Sequence, residues 1–118
     1  MRIAVDYDNT YSSDPAYFDW VMRAAAEYGH EARIVTYRDD RFDRTAALIE
    51  VEAKWPVIYT RGVAKGWYCT HFGDGFIPDV WIDDRPISVL ENSAGSPESL
   101  AEWRGARPDG AHVEDKAK

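Results

Sequence analysis

Short apolar runs alternate with longer amphipathic stretches over most of the chain. Ile3-Ala4-Val5 is a compact apolar run that ends in acid, and it predicts a first strand over residues 2–6. Asp14-Pro15 has the form of a helix start, with Asp as N-cap and Pro at the first helical position. Phe18, Val21, Met22 and Ala25 then recur at the spacing of one helical face, and Gly29 supplies a stop. Arg33-Ile34-Val35-Thr36-Tyr37 is short and β-branched, which predicts a second strand.

The charged break Arg38-Asp39-Asp40-Arg41 offers an Asp cap. Phe42, Ala46, Ile49 and Ala53 follow at helical spacing as far as Pro56. Val57-Ile58-Tyr59-Thr60 predicts a third strand. Residues Val63 to Phe72 predict a helix that buries Val63 and Trp67, and Gly73-Asp74-Gly75 with Pro78 ends it. Val80-Trp81-Ile82-Asp83 predicts a fourth strand, and Ile87 to Leu90 a fifth after Pro86. Ser96-Pro97 has the form of a short helix start reaching Trp103. Residues 107–118 carry little apolar material and predict a flexible C-terminal tail.

Strands separated by helices mean a parallel sheet with helices packed on its faces. The expectation is one α/β domain over residues 1–106, a three-layer Rossmann-like sheet with helices on both sides. The 118 residues suffice for one core and not two. No apolar run approaches the ~20 residues of a membrane span. The opening residues lack the long apolar stretch of a signal peptide. A single Cys excludes an internal disulfide framework and a multi-Cys zinc site. These features point to a cytoplasmic protein.

Charge narrows the partners. Fourteen basic residues against 21 acidic give a net charge of −7, which disfavours tight binding to duplex nucleic acid or an anionic membrane.

Ligands of open parallel sheets bind beyond the carboxyl ends of the strands. The first strand ends there in Asp6-Tyr7-Asp8-Asn9-Thr10, the second in Thr36 and the fourth in Asp83-Asp84, while Lys65 opens the helix before it. Carboxylates clustered in this way repel each other, and at least one pKa rises unless a cation sits among them. The usual cation for oxygen-only ligands is Mg²⁺. Arg38, two residues past Thr36, is placed either to reach a bound phosphate or to pair with Asp39 or Asp40. His30, His71 and Cys69 read as structural residues, and Trp67 or Tyr68 could border the site.

Taken in order, these residues resemble the four motifs of the haloacid dehalogenase superfamily of phosphohydrolases. Asp6 to Thr10 is similar to its DxDxT signature, Thr36 to the second motif, Lys65 to the third and Asp83-Asp84 to the fourth. The resemblance covers residues 1 to about 90. It implies that Asp6 is a nucleophile forming an aspartyl-phosphate, and that Asp8 serves as general acid and then base. It implies that Thr36 contacts substrate phosphate and that Lys65 stabilises developing charge. Mg²⁺ would rest on Asp6, on Asp8 through its backbone carbonyl, and on Asp83 or Asp84.

Tyr11 stands where this family more often has Leu or Val. No segment after the first or third strand is long enough for a cap domain. A capless site suits a polymer end, a protein, or a small molecule enclosed by a second copy in a homo-oligomer. The alternative function is a non-catalytic domain that holds Mg²⁺ and a phosphorylated ligand, or docks on a partner protein. A phosphotransfer receiver domain does not fit, because its phosphorylated Asp would follow the third strand, which here ends in Thr60.

Overall fold

The computed structural model describes residues 1–93. Four strands form one sheet: β1 (Arg2–Val5), β2 (Glu31–Thr36), β3 (Val57–Tyr59) and β4 (Val80–Ile82). Their spatial order is β3-β2-β1-β4 and every pairing is parallel. The helices α1 (Pro15–Glu27), α2 (Ala46–Glu52) and α3 (Lys65–Phe72) make the crossovers, and a short α4 (Ile87–Leu90) follows β4. The predicted helix from Ser96 and the tail over residues 107–118 lie outside the described residues. Among the described residues no helix is long and apolar enough to cross a membrane.

Side-chain alternation along the strands divides the apolar residues into two groups. Val5 and Ile34 cluster with Met22 of α1 and with Leu48 and Val51 of α2. Ala4 and Val35, one position away on the same strands, cluster with Cys69 of α3 and with Phe76. The predicted α1 signals are all used. Asp14 accepts a hydrogen bond from the Tyr17 N–H, Pro15 begins the helix, and Gly29 lies just past its end at φ +84°.

Two predicted elements need correction. The helix after β2 starts at Ala46 rather than near Phe42, which is 80% exposed. Asp39 organises a separate turn there: its carbonyl accepts from the N–H groups of Phe42 and Asp43, and its carboxylate pairs with Arg41. The cap is Thr45, whose hydroxyl accepts from the Leu48 N–H. The second correction concerns Ile87–Leu90, which is helical and not a fifth strand. Asp83 bends the chain there by accepting hydrogen bonds from the Arg85 N–H and the Ser88 hydroxyl. Gly66 lets α3 approach this turn, since a Cβ at that position would lie 3.0 Å from the Val89 carbonyl oxygen.

Tyr11 is buried in the first cluster, and its hydroxyl donates to Asp19 at 2.5 Å. The same carboxylate accepts from the Trp55 indole at 2.9 Å and from Lys54 at 3.0 Å. This joint ties the loop after β1 to α1 and to the segment after α2. Tyr11→Phe removes one donor from it and is expected to cost about 1–2 kcal/mol, read by urea unfolding.

Candidate functional site

The sheet register sets the site. Val5 lies beside Ile82, and the Asp6 N–H donates to the Ile82 carbonyl at 2.9 Å, so the chain leaves β1 and β4 side by side. Asp6 and Asp83 are therefore neighbours beyond the carboxyl end of the sheet. Lys65, the first residue of α3, fills the gap between them. Its Nζ lies 2.8 Å from Asp6 Oδ1 and 2.6 Å from Asp83 Oδ2, and its side chain is 2% exposed. A buried ammonium at a helix N-terminus opposes the helix dipole, and two carboxylates offset that cost.

Thr10 completes the inner cluster. Its hydroxyl lies 3.2 Å from Asp6 Oδ2 and 3.3 Å from Asp84 Oδ1, and it accepts from the Asp84 N–H. One hydroxyl proton cannot serve both carboxylates. Burial pushes the Asp6 carboxyl up to about 7. Lys65 opposes the rise, and the neighbouring Asp84 and Asp83 add to it. The ligand oxygens of Asp6, Asp83 and Asp84 lie within 4.8 Å of one another, so these three residues could hold a metal ion. An oxygen-only set in which one acid carries a proton near neutrality fits a hard divalent cation, which would replace that proton.

Asp6, Lys65, Asp83 and Asp84 line a cavity of about 160 Å³ together with Asp8, Asn9, Tyr37, Arg85 and Ser88. Asn9 takes the left-handed conformation at φ +60°, where the chain turns away after Asp8. Asp8 faces Arg38: Nη2 donates to Oδ1 at 2.8 Å and Nε to Oδ2 at 3.0 Å. Arg38 also donates to the Asp43 carbonyl at 3.0 Å and stacks on Tyr7, its guanidinium carbon 5.3 Å from the ring centre. Its chemical partners are thus Asp8 and Asp43, not Asp39 or Asp40. Those two carboxylates pair with the buried Arg61. The Arg61 and Gly62 N–H groups donate to the Arg38 and Tyr37 carbonyls, which fixes the loop bearing Arg38.

Five sequence-predicted residues meet at the cavity: Asp6, Asp8, Lys65, Asp83 and Asp84. Thr36 is wholly buried at the end of β2 and lies outside the cavity lining, where its hydroxyl accepts from the Arg38 N–H. Arg38 also lies outside the lining and reaches the site through Asp8.

Trp67 and Tyr68 do not line the cavity; they pack with Phe72 around Val63. Cys69 is buried, and that burial pushes its thiol up to about 11, the state of an inert structural Cys. His30 contacts the N-terminal amine, and His71 stacks on Trp67.

Sequence reasoning missed Asn9, Tyr37, Arg85 and Ser88 as lining residues, and the bridging position of Thr10. Only Thr10 had a sequence signal, its place in the DxDxT string. The others reach the site through turns.

Fold and site together define a parallel α/β protein with a carboxylate- and lysine-lined cavity beyond the carboxyl ends of β1 and β4. The chain matches no protein-family model, no curated protein and no solved structure.

Proposed function

We propose that this protein is a Mg²⁺-dependent phosphomonoester hydrolase of the haloacid dehalogenase type, working through an aspartyl-phosphate at Asp6. The observation that carries the proposal is the buried Lys65 ammonium held between Asp6 and Asp83, with Asp84 alongside. An apolar strand that delivers a carboxylate into such a cluster is costly for stability alone. The two apolar clusters support the three-layer arrangement expected for this class, with α1 and α2 on one face and α3 on the other. The ten-residue stretch from Asp6 to the start of α1 supports a capless site. The single, buried Cys69 suits a reducing, cytoplasmic setting.

In this reading Asp6 Oδ attacks phosphorus and the bond to the leaving oxygen breaks. Asp8 supplies the proton that the leaving oxygen takes. Asp8 then accepts a proton from water as that water attacks phosphorus, and Asp6 is released as carboxylate. Lys65 favours the ionised form of Asp6 and offsets charge on the transferring group. Arg38 fixes the Asp8 carboxylate, and Thr36 anchors the Arg38 backbone. Asp6, Asp83 and Asp84 would hold Mg²⁺, which when bound offsets the repulsion between Asp6 and an incoming phosphate.

One observation favours the non-catalytic reading. Both oxygens of Asp8 are taken by Arg38, so Asp8 must be freed before it can move a proton. Phosphate release from phenyl phosphate and other small phosphomonoesters, measured with Mg²⁺ and with excess chelator, separates the two. Mg²⁺-dependent release is expected. Stabilisation by Mg²⁺ and inorganic phosphate without any release would leave only the binding function.

A further inference from the structure

The cavity contains a cation for which the proposed reaction has no use. Arg85 lines it, yet its side chain forms no ion pair among the described residues. The other cations near the cavity are engaged: Lys65 by Asp6 and Asp83, and Arg38 by Asp8 and the Asp43 carbonyl.

The backbone of Arg85 is held on both sides. Its N–H donates to Asp83 Oδ1 at 2.9 Å and its carbonyl accepts from the Ser88 N–H at 2.9 Å. The turn that positions Asp83 therefore also mounts Arg85, with a fixed base and an uncommitted guanidinium. The charge reaches the cavity wall. Burial raises the Tyr37 phenol, and the nearby Arg85 guanidinium opposes that rise.

The rest of the lining is hostile to anions. Asp6, Asp8, Asp83 and Asp84 surround the same space, and Lys65 with a divalent cation would be used up by one phosphate. A ligand bearing a second negative group thus needs a further cation, and Arg85 is positioned to supply it through two N–H donors.

We infer that Arg85 binds a second anionic group on the ligand, so that the preferred substrates are phosphomonoesters whose leaving group itself carries a carboxylate or similar anion. The inference rests on the phosphatase reading for the word substrate, but the binding role does not depend on turnover. Arg85 in this role is a specificity residue: it touches the leaving group and not the transferred phosphoryl group.

Calorimetric titration of the full chain with non-hydrolysable probes in Mg²⁺ tests it. Phosphonoacetate and ethylphosphonate share a phosphonate and nearly the same shape, and differ in a carboxylate against a methyl group. Wild type is expected to bind phosphonoacetate about five- to tenfold more tightly. In Arg85→Gln the ratio of the two affinities is expected to fall to about one. Comparing the wild-type ratio with the Arg85→Gln ratio cancels any effect common to the two proteins, including Mg²⁺ chelation by the phosphonoacetate carboxylate. A wild-type ratio near one, a ratio unchanged in Arg85→Gln, or no binding of either probe overturns the inference. Phosphate release from phenyl phosphate, which has no second anion, is scored separately. Release without a phosphonate preference removes only the role of Arg85; the preference without release from any phosphomonoester removes only the phosphatase reading.

Discussion

Asp6→Asn is expected to lower phosphate release by at least about 10³-fold, because it replaces the proposed carboxylate nucleophile with an amide while keeping the side chain's shape. The same substitution is expected to change the pH dependence of stability in the metal-free protein. Asp6 is 7% exposed, and its carboxyl is raised from 3.8 to about 7. A raised acid favours the folded state while protonated. Its contribution is fully present below the ordinary value of 3.8 and is lost as pH rises through about 7. With chelator present, wild type should therefore lose stability relative to Asp6→Asn between about pH 5 and about pH 8, by an amount on the order of a few kcal/mol. Urea unfolding of both proteins at the two pH values reads the difference. An unchanged difference would mean that burial does not hold a proton on Asp6.

Lys65→Met is expected to have the largest effect on stability. The ammonium is buried and bridges two carboxylates at 2.8 and 2.6 Å. Removing it leaves Asp6 and Asp83 facing each other beside Asp84 without a cation. Breaking a buried pair from one side typically costs about 3–5 kcal/mol. The loss should be large in chelator and smaller in Mg²⁺, because a divalent ion among Asp6, Asp83 and Asp84 offsets the same repulsion. Phosphate release should fall by about 10²–10³-fold even where the fold is restored, since the transferring group loses a fixed positive partner. Thermal melting at a series of Mg²⁺ concentrations measures the first effect. Equal destabilisation with and without Mg²⁺ would contradict the metal assignment.

The parts of this structure that could be read from the sequence are those set by local signals. Asp14-Pro15, the Phe18-to-Ala25 stripe and Gly29 delimit α1 with little help from the rest of the chain. Apolar runs broken by acids located β1 and β4, and the rule for parallel sheets placed Asp6, Lys65, Asp83 and Asp84 at one edge. What escaped depends on contacts distant in sequence or on side-chain bonds to turns. Ile87–Leu90 is as apolar as a strand, and its helical form follows from the Asp83 carboxylate gathering the Arg85 N–H and the Ser88 hydroxyl. Phe42 fits a helical spacing but sits on a turn organised by Asp39. Arg38 had Asp39 and Asp40 as near neighbours, yet it pairs with Asp8, thirty positions away, because Arg41 and Arg61 engage those acids.

The most direct test of the central claim uses Asp8→Asn and 4-nitrophenyl phosphate. Nitrophenolate leaves without a proton, so the first step can proceed in this variant, while loss of the base slows the attack of water. In Mg²⁺ the account predicts a burst of nitrophenolate equal to the protein present, with the phosphoryl group found on Asp6 by mass spectrometry of acid-quenched peptides. A phosphoryl group on another residue, or wild-type turnover with no burst and no phosphorylated Asp6 in the variant, would contradict it.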